Sequence, residues 1–183
     1  MVPPREEERV GGPVACGNLD DVDILQLTSI PWRTFINCNE LVWVDYMPKV
    51  IYVWDFAFQG CGNLERVAMP QLAHIANSAF RGCRNLETLN IPQVTHVEKY
   101  AFDGCWKLER VNMTQLAHVE EYAFAECEKL ESATLPITAE IHPNAFFECN
   151  RDLLVIRFVG VLAAADLDRP NAFPALNKYT RTA

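Results

Sequence analysis

The chain has 183 residues, half of them hydrophobic and 22% charged, and a formal net charge of −8. That profile belongs to a folded chain long enough to bury one sizeable core, and it excludes a disordered one. The acidic balance argues against unaided binding to nucleic acid or to an anionic membrane, because both reward Lys and Arg.

In chain order, the first residues are Pro-rich, Gly-rich and charged (Arg5, Glu6, Glu7, Glu8, Arg9), with no apolar stretch. No secretory leader is predicted there, and residues 1–15 are expected to form a flexible segment.

A repeat then begins. The cysteines fall at Cys16, Cys38, Cys61, Cys83, Cys105, Cys127 and Cys149, with gaps of 22, 23, 22, 22, 22 and 22 residues. Three residues before each of the last six stands a phenylalanine: Phe35, Phe58, Phe80, Phe102, Phe124 and Phe146. Leu41, Leu64, Leu86, Leu108 and Leu130 keep the same beat after the cysteine, followed by Val44, Val67, Leu89, Val111, Ala133 and Val155. Pro70, Pro92 and Pro136 end the strand at one fixed place, since proline lacks the N–H a ladder needs. The one-residue excess between Cys38 and Cys61 fits an insertion near Asp45 and Tyr46. A unit of 22 residues is too small to bury its own apolar face, so stacked units must share a continuous core.

The unit reads C-x-x-L-x-x-V-x-M/I/L-P-x-L-x-x-I-x-x-x-A-F-x-x. From Met69-Pro70-Gln71-Leu72 through Ala79-Phe80-Arg81-Gly82-Cys83 to Leu86, and again from Ile91-Pro92 through Ala101-Phe102 to Leu108, it resembles the BspA-type leucine-rich repeat. That resemblance implies a right-handed leucine-rich-repeat solenoid. One parallel strand per repeat would line one face, with irregular or short helical turns on the other. Residues 16–158 would make about six to seven coils, and residues 159–183 a C-terminal cap or tail. It also implies a binding scaffold. Many relatives resemble secreted or surface adhesins of bacteria and protists, which gives an alternative role and location.

The spacing does not suit zinc, because no C-x-x-C pair exists, while cysteines one coil apart could come near enough for a disulfide, which stays as the alternative. A regular column of one small residue type is what core packing produces, so buried thiols are expected. Thiols in turn favour the cytoplasm. His74, His96 and His118 keep the period and should point outward, giving a solvated polar column or, as an alternative, a metal site.

If the strand leucines point in, the intervening residues point out. One outward column is Trp43, Arg66, Thr88, Arg110 and Ser132, and the next is Asp45, Asn90, Asn112 and Thr134. Glu65, Glu87, Glu109 and Glu131 flank them, with Lys107 and Lys129 near enough to balance the charge. Mixed charge with an exposed tryptophan suits a protein partner, whose hot spots favour Trp and Arg. No nucleophile elbow, zinc-protease helix, Walker loop or dinucleotide fingerprint occurs, so no catalysis and no cofactor are expected. The longest apolar run, residues 153–165, is broken by Arg157 and too short to span a bilayer. A structural or assembly role remains open beside the binding one.

Overall fold

The computed structural model describes residues 25–44, 46–150 and 154–160. The expected N-terminal segment, residues 16–24 of the first coil, Asp45, residues 151–153 and all but Val159 and Gly160 of the expected cap lie outside them.

The described strands, in order, are β1 (Ser29–Ile30), β2 (Trp43–Val44), β3 (Tyr52–Val53), β4 (Arg66–Ala68), β5 (His74–Ile75), β6 (Thr88–Asn90), β7 (His96–Val97), β8 (Arg110–Asn112), β9 (His118–Val119), β10 (Ser132–Pro136), β11 (Glu140–Ile141) and β12 (Val155–Val159). The odd-numbered strands form one six-stranded sheet. The even-numbered ones form two three-stranded sheets, β2-β4-β6 and β8-β10-β12. All pairs are parallel, one coil apart.

One strand per repeat was expected, and each coil carries two. The second is only two residues long, such as His74–Ile75, too short for period-two alternation to register in sequence. No described residue is helical. The third side is instead a stack of turns with its own ladder. The N–H of Phe58 donates to Ala79 O at 2.7 Å, that of Phe80 to Ala101 O at 2.8 Å and that of Phe102 to Ala123 O at 2.7 Å. Left-handed residues explain why no helix forms. Phe56, Ser78, Tyr100 and Tyr122 before the alanine, and Gly60, Gly82 and Gly104 before the cysteine, all have φ between 55° and 73°. Two such residues per turn reverse the chain before a helical ladder can propagate.

The core runs the length of the stack. Phe58, Phe80, Phe102 and Phe124 are 0% exposed, and neighbouring rings lie near-parallel with centroids 5.0 to 5.3 Å apart. Burying each ring contributes about 2–3 kcal/mol, with stacking adding roughly 0.5–1.5 kcal/mol. Leu64, Leu86, Leu108 and Leu130 fill a second column, and Val53, Ile75, Val97 and Val119 a third.

Two register changes are visible. Trp43 pairs with Arg66 and Tyr52 with His74, so one extra residue lies between them. Met47 and Met69 are both fully buried, which confines that residue to the expected position beside Tyr46. The second change corrects an expectation. Val155 was assigned to the inward column with Ala133, yet Ala133 pairs with Ile156 and Ser132 with Val155. The leucine spacing falls on Asp152, outside the described residues, and Leu154 is the leucine buried in the core (2% exposed). The strand therefore starts one residue late, and Arg157 comes to face outward.

Candidate interaction face

The even-numbered strands place their outward residues as the alternation predicts. Trp43, Arg66, Thr88 and Arg110 are exposed and Ser132 half-buried, while Val44, Val67, Val111 and Ala133 between them are buried. Asn90 and Asn112 are exposed and Thr134 half-buried in the next column. Asp45 lies outside the described residues. The described residues of the two columns lie on the outward sides of two three-stranded sheets, with β6 and β8 not joined into one.

Trp43 is 51% exposed, a high figure for a large aromatic ring, and the guanidinium of Arg66 in the next coil lies 5.7 Å from its ring centre. At an exposed site such a cation–ring contact is worth about 0.5–1 kcal/mol. At the other end, Arg110, Glu131, Ser132, Val155 and Arg157 line a recess of about 500 Å³. Arg157 escaped sequence reasoning because the late start of β12 moves it from the inward to the outward side. The flanking glutamates are exposed as expected, and Lys107 Nζ lies 3.4 Å from Glu87 Oε1. Exposed pairs of this kind contribute little to stability.

The six-stranded sheet carries a different outward column. Tyr52, His74, His96 and His118 stack ring on ring, with centroids 4.5, 5.2 and 4.9 Å apart. Trp54 tilts against Tyr52 at 4.3 Å, and its buried Nε1 has no hydrogen-bond partner among the described residues. His74 Nε2 meets Glu98 Oε1 at 2.6 Å, and His118 Nδ1 meets Glu140 Oε2 at 3.0 Å. The Thr95 hydroxyl donates to Ala73 O at 3.0 Å, so it accepts from His96 Nδ1 at 2.8 Å, which fixes the tautomer. Burial first, then the neighbouring His74 and His118, hold the His96 pKa below the ordinary 6.5. Near-parallel rings direct their nitrogens side by side rather than toward one point. No group of three His, Cys, Asp or Glu among the described residues is arranged to hold a metal ion.

The cysteine column is core, with one departure. Cys61, Cys83, Cys105, Cys127 and Cys149 are free and buried. Cys38, expected as a thiol like the rest, is disulfide-bonded. Burial raises the pKa of Cys83, Cys105 and Cys127 well above that of an ordinary thiol, which leaves them unreactive. No helix of the described residues is long and apolar enough to cross a membrane.

Relatives fit this architecture. The chain aligns with a leucine-rich repeat protein of T. pallidum at 27% identity and a TM-score of 0.55, covering 60% of this chain and 53% of that one. A leucine-rich repeat protein from Bacteroides ovatus aligns at 23% identity and a TM-score of 0.53, covering 73% of this chain and 41% of that one, and supports the fold alone. The chain thus spans about half, or less, of the length of these structures. No curated protein sequence matches it. The model of the BspA type leucine rich repeat region matches residues 14–115 and 52–159 in six copies, and the chain belongs to that family.

Proposed function

We propose that the chain is a non-catalytic interaction module that holds a protein partner on the face of the even-numbered strands. The observation that carries this reading is the contrast between columns. Inward positions repeat with little change, whereas the outward ones differ from coil to coil: Trp43, Arg66, Thr88, Arg110, Ser132. Core packing constrains the first set, and nothing in the fold requires a tryptophan at the exposed position of Trp43. An irregular surface suits one defined partner better than a repetitive fibre. The test is retention of a partner from native lysate by the wild type and by a Trp43→Ala, Arg66→Glu, Arg110→Glu variant of equal stability. Loss of one protein in the variant supports the reading; equal retention moves the site elsewhere.

A second reading, an adhesin-like module at the cell surface, is favoured by the disulfide at Cys38, since disulfides persist in oxidising compartments. Thiol titration of protein taken unreduced from its native source tests it. A free thiol at Cys38 would remove its support.

A further inference from the structure

On the turn side, away from both sheet faces, three successive coils line an open recess of about 470 Å³. Its lining carries the carboxamides of Asn37, Asn39 and Gln59 and the guanidiniums of Arg81 and Arg84, with no carboxylate among the described residues that line it. On a chain of net charge −8 it holds two guanidiniums, of which Arg84 carries the uncompensated charge. The cations are held in place from behind. Arg81 Nε bonds the buried carboxylate of Asp103 at 2.8 Å. Arg84 lies 4.5 Å over the Trp106 ring, and no acid pairs with it among the described residues.

The carboxamides are also set. Asn39 Oδ1 accepts from Gly62 N at 3.3 Å, which leaves its amino group as a donor. Asn37 occupies the space over Gly60, where an added Cβ would fall 2.2 Å from Asn37 Oδ1. Neither Asn37 nor Gln59 uses its carboxamide on another described residue. Carboxamides both donate and accept, as sugar hydroxyls do, and guanidinium pairs with carboxylate. A recess in the range of about 300–1,000 Å³ takes a small molecule. An acidic peptide could also pair its backbone amides with the carboxamides, but it would bring a carboxylate at every side chain to a recess with only two guanidiniums.

We propose that this recess binds an acidic saccharide, its carboxylate on Arg84 and Arg81 and its hydroxyls on Asn37, Asn39 and Gln59. The site is separate from the strand face and does not rest on the protein-binding reading. Calorimetric titration of the full chain with trigalacturonate tests it, beside the fully methyl-esterified trisaccharide and a hexaglutamate peptide. Trigalacturonate should bind at least about tenfold more tightly than either, and Arg84→Gln should weaken it by about the same factor at an unchanged melting temperature. Arg66→Gln, on the other face, should leave it unchanged. No binding, equal binding of the ester or of hexaglutamate, or binding indifferent to Arg84→Gln would each overturn the proposal.

Discussion

The thiol of Cys105 donates a hydrogen bond to the main-chain carbonyl of Phe80 in the preceding coil, 3.2 Å away. The same carbonyl accepts the N–H of Cys83 from its own coil at 3.2 Å. The thiols of Cys61, Cys83, Cys127 and Cys149 donate likewise to Phe35, Phe58, Phe102 and Phe124, and the first three of these carbonyls also accept the N–H of the cysteine in their own coil. Cysteine is therefore a small apolar filler that also satisfies the second lone pair of a buried carbonyl. Cys105→Ala removes both contributions, and chemical denaturation should show a loss of about 1–2 kcal/mol. In the folded protein these thiols should react with a disulfide reagent only as fast as the coils open.

The phenylalanine ladder makes a stronger demand. Phe102 is 0% exposed and stacks on Phe80 at 5.3 Å and Phe124 at 5.1 Å. Truncation leaves a void between two rings held by the backbone ladder, so the neighbours cannot close it. Phe102→Ala should cost about 3–5 kcal/mol in equilibrium unfolding. Little change in the unfolding midpoint would mean that the coils relax into the gap. Because each coil contacts only its neighbours, a central substitution should also divide the stack into separately melting halves.

What the sequence made legible follows the same physics. Cys, Phe and Leu recur because identical neighbours fill identical spaces, and the spare residue beside Tyr46 showed as a single broken interval. Trp43, Arg66 and Arg110 were placed outward because alternation over a strand has a period of two. The second strand series was not legible, since two-residue strands carry no period. Nor was the late register of β12, where Asp152 at the leucine position gave the only hint and Arg157 moved outward as a result. The left-handed turns were half visible: Gly60, Gly82 and Gly104 announced them, but Glu126 and Glu148 hold the same conformation without a glycine. The recess at Asn37 and Arg84 gathers residues from three coils, and no single repeat displays it.

The histidine stack should make stability fall in mild acid. His96 has its pKa depressed in the folded state, by burial first and then by His74 and His118, while Glu98 works against them. Glu140 lies further off on His118, and Tyr52 beyond His74 is uncharged in this range. The unfolded chain then binds the proton more readily than the folded one, so stability rises with pH in this window. It should be complete above about pH 6.5 and lost as the pH falls through the lower folded value. Unfolding midpoints measured from pH 8 to pH 5 should decline below about 6.5, and His96→Gln should flatten that decline while leaving the carboxylate-driven loss at lower pH. A decline identical in His96→Gln would assign it to other groups.

The turn residue before the cysteine offers a test in which stabilisation is expected. Glu126 holds φ 54° where Gly60, Gly82 and Gly104 hold φ 70–73° in the equivalent turns. A side chain in that region costs about 1–2 kcal/mol, and glycine's greater freedom when unfolded returns roughly 0.5–1 kcal/mol of this. Glu126→Gly should therefore raise stability by about 0.5–1 kcal/mol, read from the unfolding midpoint. Gly82→Ala is the converse, since its added Cβ meets nothing nearer than 3.9 Å and only the backbone conformation opposes it. Gly60→Ala faces the same conformational cost plus the contact with Asn37 Oδ1, and should be the more destabilising of the two. Equal losses at the two glycines would mean that the Asn37 side chain swings away freely.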